Sequence, residues 1–288
     1  MPEVDPAFAA LLADPRVALR RLPGHVPLAA LREGANAFMA GVPRPPIHAV
    51  ADLTIPGAGA ARLYRPSAAS GLPIILFVDG GASLLGTLAP HDALCRALAA
   101  AADAAVVAVD YRLAPEAPHP AALDDIAAAY RALPSIAAAH RLDDTRVSIA
   151  GDSAGGLLAA SAALMLPFRR VALFYPMVDH RQTTASLRLF ATDHMLTAEF
   201  IAWAWEAYGA RSPLIDADLS AYPPTTLVTA ECDPLRDEGE TFAARLRAAG
   251  RDVWCERFTG MIHGFAGMPH LTPRAQDAVD LLAARLRG

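Results

Sequence analysis

Short, uninterrupted apolar runs alternate with longer Ala- and Leu-rich stretches over most of this chain, and this alternation restricts its fold more than any other feature. The runs that predict β-strands are Ile74–Val78, Val106–Val109, Val147–Ala150, Val171–Tyr175, Thr225–Thr229 and Val253–Phe258. The stretches that predict helices are His91–Ala102, Ala121–Leu133, Ala154–Leu166, Asp237–Ala249 and Pro273–Arg287. Strands that are apolar on both faces need helices on both sides, so the pattern predicts an α/β fold with a mostly parallel central sheet.

Four further segments fall outside this alternation. His48–Ile55 and Ala61–Arg65 alternate apolar and polar residues, which predicts an antiparallel hairpin at the edge of the sheet. Residues 1–45 contain helix-like segments without a strand, and residues 179–219 contain a cluster of aromatic residues. Such a cluster is typical of a cap over a pocket, although a helix packed on the core would carry it too.

Composition excludes several classes of protein. With 288 residues and 54% hydrophobic residues, the chain can bury a large core. Its net charge of −5 gives no electrostatic reason to expect a nucleic acid or an anionic membrane as partner. All 25 basic residues are arginine, and the absence of lysine excludes Schiff-base chemistry, a P-loop lysine and a Ser–Lys dyad.

Neither the cysteines nor the apolar runs indicate a metal site or a membrane segment. Cys95, Cys232 and Cys255 are too few and too scattered for a disulfide framework or a cysteine-based metal site. The longest apolar stretch, Ala154–Phe168, is shorter than a membrane span requires. The first residues are acidic where a signal peptide would be basic, so we expect a cytoplasmic protein with no membrane span.

The most specific motif lies between a predicted strand and the helix that follows it. Its residues are Gly151, Asp152, Ser153, Ala154, Gly155 and Gly156. A serine on such a tight turn projects its hydroxyl from the carboxyl edge of the sheet, and its small neighbours let the backbone pass without clashes. A chance match in this strand–helix context is rare, so the motif indicates that Ser153 is a nucleophile.

A serine nucleophile needs a base, and in this topology the acid and the base follow it along the chain. Asp233 comes just after Thr225–Thr229, and His263 lies in the corresponding loop after Val253–Phe258. Alone, Asp233 could be a helix N-cap and His263 a buried core histidine. Together with the serine motif, the order predicts a Ser153–Asp233–His263 triad.

A glycine turn after the first predicted central strand completes the constellation. Ile74–Val78 runs into Asp79, Gly80, Gly81, Ala82 and Ser83. Consecutive glycines at this position let backbone amides turn towards the nucleophile, where they can stabilise an oxyanion. A Gly-Gly turn by itself is weak evidence, because most such turns have no catalytic role.

With these motifs, the chain resembles the hormone-sensitive-lipase-like (family IV) esterases of the α/β-hydrolase fold. Residues 151–156 match their nucleophile motif, residues 110–116 and 120–125 a characteristic stretch, residues 233–239 their acid loop and residues 263–265 their histidine loop. The resemblance implies a catalytic domain formed by residues 46–188 and 217–288. It implies a cap formed by residues 1–45 and 189–216.

The same resemblance implies a site and an activity. The triad would be Ser153, Asp233 and His263, and the amides of Gly81, Ala82 and Ala154 would form the oxyanion hole. The expected reaction is hydrolysis of small carboxylic esters with short to medium acyl or aryl groups, without a cofactor or metal. A homodimer through the edge of the last strand is also expected. An amidase, deacetylase or acyltransferase could use the same triad, and these alternatives stay open.

One position departs from the family pattern. The oxyanion loop of these esterases usually reads His-Gly-Gly-Gly, whereas this chain has Asp79 for the histidine and Ala82 for the third glycine. A carboxylate near a forming oxyanion should repel it. Asp79 and Gly80 could therefore shape the loop, with the Asp79 carboxylate accepting backbone N–H groups, or Asp79 could face the pocket and select the substrate. The substitution also leaves open a ligand-binding homologue with weakened catalysis.

Overall fold

An eight-stranded sheet forms the centre of the protein, whose computed structural model describes residues 2–14 and 27–287. The strands are β1 (Ala49–Ile55), β2 (Gly59–Arg65), β3 (Leu72–Val78), β4 (Ala105–Val109), β5 (Leu142–Asp152), β6 (Val171–Phe174), β7 (Thr225–Cys232) and β8 (Val253–Ile262). Their spatial order is β1-β2-β4-β3-β5-β6-β7-β8. From β4 to β8 every neighbouring pair is parallel, which confirms the predicted mostly parallel sheet.

The two alternating runs near the start of the chain form the predicted hairpin. β1 pairs with β2 in antiparallel register, from Ala49 opposite Arg65 to Ile55 opposite Gly59. β2 then pairs with β4, also antiparallel, so that β1 is an edge strand. Its half-buried alternation agrees with a strand that has one face towards solvent.

Helices cover both faces of the sheet. In chain order they are α1 (Pro6–Ala13), α2 (Leu28–Ala40), α3 (Asp92–Ala102), α4 (Ala121–His140), α5 (Ala154–Ala162), α6 (Ala185–Leu189), α7 (Ala198–Tyr208), α8 (Arg236–Ala248) and α9 (Arg274–Arg287). Successive residues of β3 point to opposite faces. Ile74 and Leu76 belong to the apolar cluster with α4, α5 and α8, and Ile75 and Phe77 to the cluster with α3 and α9.

Two helices end at other residues than their patterns predict. The pattern predicts that α4 ends at Leu133, but the helix continues through Pro134 to His140. Ala137, beyond the proline, is buried in the core, and this packing offsets the loss of a helical hydrogen bond. α5 ends at Ala162 instead of Leu166. Within the described residues, no helix is long and apolar enough to cross a membrane.

Candidate active site

Ser153 lies on a tight turn between β5 and α5, with a backbone conformation that non-glycine residues rarely adopt (φ 54°, ψ −121°). The turn requires small neighbours. A Cβ on Gly151 would strike the carbonyl of Gly155, and one on Gly155 would strike the carbonyl of Val78. A Cβ on Gly156 would lie 2.7 Å from Cβ of Pro176. These contacts explain why glycines surround the serine, and the turn leaves its hydroxyl at the carboxyl edge of the sheet.

The structure brings Ser153, His263 and Asp233 into one hydrogen-bonded chain. Nε2 of His263 is 2.9 Å from Oγ of Ser153, and Nδ1 of His263 is 2.8 Å from Oδ2 of Asp233. Asp233 is fully buried, whereas Ser153 and His263 are each 8% exposed. The other oxygen of Asp233 accepts the amide of Leu235 at 2.8 Å, which holds the carboxylate in place. Asp233 follows β7 and His263 follows β8, so neighbouring parallel strands position both residues.

The glycine turn after β3 bends its backbone towards Ser153. Gly81 (φ 99°) and Ala82 (φ 59°) both lie in the left-handed region, and the Gly81 carbonyl accepts the amides of Leu84 and Leu85 at 2.9 and 2.8 Å. Within the part of the chain that the structure describes, the amides of Gly81, Ala82 and Ala154 donate to no backbone carbonyl. Gly81, Ala82 and Ser153 line the same pocket, whereas Ala154 does not.

The pocket in front of Ser153 has a volume of about 210 Å³ and is mostly apolar. Ser153, His263, Gly81 and Ala82 line it, and two segments that are far apart in the sequence contribute further lining residues. From α2 these are Ala35, Phe38 and Met39, and from the segment around α7 they are Met195, Leu196, Phe200, Ile201 and Ala204. α1 does not line it. Instead, the α1 residue Phe8 is fully buried in the cluster that contains α9.

Beside the pocket lies a buried cluster of two carboxylates and one imidazole. Nε2 of His91 is 3.4 Å from Oδ2 of Asp152, and Nδ1 of His91 is 3.8 Å from Oδ2 of Asp79. Oδ1 of Asp152 accepts the amide of Gly80 at 2.8 Å, so Asp152 rather than Asp79 holds the glycine turn. His91 and Asp152 line the pocket, but Asp79 does not.

The pKa values of Asp79 and His91 are both shifted from their ordinary values. Burial raises the pKa of Asp79 to about 7, and the carboxylates of Asp152 and Asp110 add to this effect while His91 opposes it. Burial alone would lower the pKa of His91, but the adjacent Asp152 and Asp79 raise it to about 9. A protonated His91 therefore lies between the two carboxylates near neutral pH.

α2 is attached directly to the loop that carries the glycine turn. Nε of Arg32 donates to the carbonyl of Leu84 at 2.7 Å, and its terminal nitrogens form a double hydrogen bond with the carboxylate of Glu116. The hydroxyl of Thr87 donates to Oδ1 of Asn36 at 3.0 Å. The helix that lines one side of the pocket is thus also bonded to the segment that follows the glycine turn.

Sequence reasoning did not find Arg32, Gly86 or His91. A Cβ on Gly86 would strike the Asp79 carboxylate and lie 2.7 Å from the Gly80 carbonyl. The loop can therefore pack this closely against Asp79 and Gly80 only with glycine at position 86. No local sequence pattern identifies these residues. Each acquires its role by packing against a segment that is distant in the sequence, or against a nearby segment that folds back on it. In the described part of the chain, no group of three or more His, Cys, Asp or Glu side chains could hold a metal ion.

Comparisons with known proteins agree with this architecture. A sequence profile of the family described as alpha/beta hydrolase fold matches residues 75–267. The carboxylic ester hydrolase LipN of Mycobacterium tuberculosis is 35% identical over 99% of this chain and 82% of its own length. The carboxylesterase NlhH of the same organism is 36% identical over 78% of this chain and 77% of its own length.

Solved structures of esterases superimpose closely on this fold. An esterase from Pyrobaculum calidifontis has a TM-score of 0.88 at 34% identity, over 99% of this chain and 98% of that one. A thermostable esterase from Pseudomonas putida has a TM-score of 0.91 at 30% identity, over 100% of this chain and 98% of that one. This chain belongs to the α/β-hydrolase fold family and, within it, to the hormone-sensitive-lipase-like carboxylesterases.

Proposed function

We propose that this carboxylesterase works through Ser153, His263 and Asp233, with the amides of Gly81, Ala82 and Ala154 as the oxyanion hole. The observation that carries the proposal is the continuous hydrogen-bonded chain from Ser153 Oγ through His263 to the buried Asp233 carboxylate. A serine hydroxyl is a weak nucleophile without such a base, and this arrangement supplies both the base and the group that orients it.

In the first half of the reaction, Ser153 Oγ attacks the ester carbonyl carbon while Nε2 of His263 takes its proton. The carbonyl oxygen becomes an oxyanion beside the three amides and the amino end of α5, which favours negative charge. His263 then gives the proton to the leaving alcohol, and the acyl group stays on Ser153. Asp233 holds the imidazole orientation and stabilises the imidazolium.

In the second half, water replaces the alcohol. His263 takes a proton from the water as its oxygen attacks the acyl carbon, and the second oxyanion occupies the same hole. Collapse of this intermediate breaks the bond to Ser153 Oγ, and His263 returns the proton to the serine. The carboxylic acid is released and the triad is restored, so the cycle needs no other reagent than water.

The pocket favours uncharged esters of moderate size. Its walls are predominantly aliphatic, aromatic and methionine side chains, and a volume of about 210 Å³ suits short to medium acyl or aryl groups. Methionines at the rim, such as Met39 and Met195, can adapt to different shapes because their side chains are unbranched and flexible. Relatives named as ester hydrolases support this reaction over amide cleavage or acyl transfer.

The cap and the assembly belong to the same proposal. Residues 1–45 and 189–216 form the cap over residues 46–188 and 217–288; α2 and residues 195–204 support this by lining the pocket, whereas α1 does not line it. Within residues 1–45, residues 15–26 lie outside the described part of the chain.

A homodimer through β8 is supported by the position of this strand at the end of the sheet and by Trp254, which is 45% exposed there.

The test is the rate of hydrolysis of p-nitrophenyl esters by two serine variants. Ser153→Ala should lower kcat by about 10⁴-fold or more, because the acyl-enzyme can no longer form. Ser161→Ala is the matched control, since Ser161 is buried on α5 and its hydroxyl has no partner among the described residues. It should leave kcat unchanged. Near-normal turnover by Ser153→Ala would contradict the mechanism.

A further inference from the structure

The carboxylate of Asp79 is enclosed directly behind the oxyanion loop. Asp79 follows β3 and precedes the Gly80–Gly81–Ala82 turn, and its side chain is almost fully buried (2% exposed for the residue). Its Oδ2 has no hydrogen-bond partner among the described residues. The missing Cβ of Gly86 makes the space that this oxygen occupies. A buried carboxylate oxygen that accepts no hydrogen bond is costly to ionise.

Charged and titratable groups surround Asp79 from every neighbouring element. His91, at the start of α3, is the closest cation, with 3.8 Å between Nδ1 and Oδ2 of Asp79. Asp152 at the end of β5 and Asp110 just after β4 are like charges. The hydroxyl of Tyr111 donates to the Asp79 backbone carbonyl at 2.8 Å, and Cys95 of α3 is buried nearby, its thiol held neutral by burial and by these carboxylates.

The charge of this cluster therefore changes in two steps as the pH rises. Because burial raises the pKa of Asp79 to about 7, the carboxyl group is neutral in weak acid and ionises near neutral pH. His91, whose pKa is raised to about 9 by its carboxylate neighbours despite its burial, loses its proton later. Ionisation of Asp79 adds a negative charge and deprotonation of His91 removes a positive one, so each step makes the net charge of the cluster more negative by one unit.

We propose that ionisation of the Asp79 carboxyl group weakens the oxyanion hole from behind, so that this residue sets the alkaline limit of esterase activity without touching the substrate. The inference rests on the proposed function, because it needs an oxyanion at the amides of Gly81 and Ala82. These amides are only two and three residues from Asp79 along the chain. Asp79 and Ala82 are both buried (2% and 7% exposed), so solvent screens the charge less than it would at the surface.

The sign of the effect follows from the charges. Near neutral pH, Asp79 becomes negative, and a like charge behind the loop opposes the negative charge that forms on the substrate oxygen. We expect kcat to fall by about ten-fold across this step.

The experiment compares pH profiles of kcat for a p-nitrophenyl ester, corrected for spontaneous hydrolysis, in the wild type and three variants. Asp79→Asn keeps the side-chain volume and removes the charge, so the fall near pH 7 should disappear and only the later step of His91 near pH 9 should remain. His91→Gln removes the cation that favours the ionised form, so the first fall should move to higher pH. Asp110→Asn is the matched control at the end of the neighbouring strand; it should keep the fall and move it to lower pH.

A second readout does not depend on catalysis. Because the folded protein holds a proton on Asp79 up to about pH 7 while the unfolded chain releases it near its ordinary value, the free energy of unfolding should decrease as the pH rises through this interval. The Asp79→Asn variant has no carboxyl group at this position, so its free energy of unfolding should not show this decrease. Its melting temperature relative to the wild type should therefore increase between about pH 5 and pH 8.

The two readouts separate the possible failures. An unchanged alkaline fall in Asp79→Asn overturns the proposal about catalysis, and a melting-temperature difference that is independent of pH overturns the ionisation itself. If Ser153→Ala kept its activity, the proposed function would fail instead, whatever the Asp79 variants do. A general defect of the Asn variant would lower kcat at every pH and would leave the alkaline fall in place, which also contradicts the proposal.

Discussion

At the scale of single residues, the site depends on close backbone contacts as much as on the chemistry of its side chains. Ser153 has a positive φ, and the glycines around it sit where a Cβ would collide with a carbonyl or with Pro176. The sequence predicts the turn around Ser153, because the motif is local and the turn requires those glycines. It also predicts Asp233 and His263 as triad partners, since both follow strands that end at the same edge.

Other residues of the site could not be predicted in this way. Gly86 and His91 matter because the chain after the glycine turn folds back against Asp79, and a sequence pattern does not encode that packing. For Asp79 itself, the sequence left two interpretations. The structure places its carboxylate outside the pocket lining, with Asp152 in the role of accepting the loop amide. The effect of Asp79 on the reaction stays a prediction.

Substitution of Gly86 tests the loop packing at this scale. In Gly86→Ala, the new Cβ would strike the Asp79 carboxylate and the Gly80 carbonyl, so the turn must shift and the oxyanion amides with it. We expect kcat to fall by about 10²-fold, the usual loss when one oxyanion donor is displaced, with a smaller change in KM.

The control for this substitution is Gly34→Ala on the exposed side of α2. A Cβ on Gly34 would meet nothing within 4 Å, and alanine favours a helix more than glycine does. This variant should keep the wild-type kcat and should unfold at the same or a higher temperature. The measurement is the steady-state kcat of both variants on one ester. Equal kcat values for Gly86→Ala and Gly34→Ala would contradict the claim that the packing of Gly86 against Asp79 positions the turn.

At the scale of secondary-structure elements, periodicity predicts where strands and helices occur better than where they end. All of the predicted central strands are present, but β8 extends to Ile262 and β5 begins at Leu142. α4 passes through Pro134 because residues beyond the proline reach the core. These ends depend on tertiary contacts, which override local propensity.

The contact between α2 and the oxyanion loop gives a prediction for this scale. Arg32→Leu removes the bonds to the Leu84 carbonyl and to Glu116, so the loop and the pocket wall lose their common anchor. A charge-assisted hydrogen bond contributes about 1.5–3 kcal/mol, and the bond to Leu84 is partly buried, so we expect kcat/KM to fall by about ten-fold.

Two further variants separate the anchor from the exposed ion pair. Glu116→Gln weakens a pair whose glutamate is 61% exposed and leaves the Arg32–Leu84 bond intact, so it should have little effect on kcat/KM. Arg32→Lys keeps the charge but loses the planar double hydrogen bond, and it should recover only part of the activity. If Glu116→Gln were as damaging as Arg32→Leu, the anchor would be the ion pair instead of the bond to the loop.

At the scale of the whole molecule, the order of the strands assembles the site from residues that are far apart in the chain. β3, β5, β7 and β8 are parallel, so Asp79, Ser153, Asp233 and His263 follow strand ends at one edge of the sheet. The sequence predicts this convergence because strands that alternate with helices along the chain are expected to be parallel neighbours in one sheet. Their carboxyl ends then meet at the same edge. The size of the pocket was not predictable, since it depends on how side chains of α2 and α7 pack above that edge.

The most direct test of the central claim is covalent labelling with a p-nitrophenyl phosphonate, followed by intact-mass measurement and peptide mapping. The phosphonate mimics the tetrahedral intermediate and reacts with a serine only where a base and an oxyanion hole are in place. The account predicts one phosphonyl group per chain, attached to Ser153, absent from Ser153→Ala and formed far more slowly in His263→Ala. No adduct on the wild-type chain, or an adduct on another residue, would contradict it.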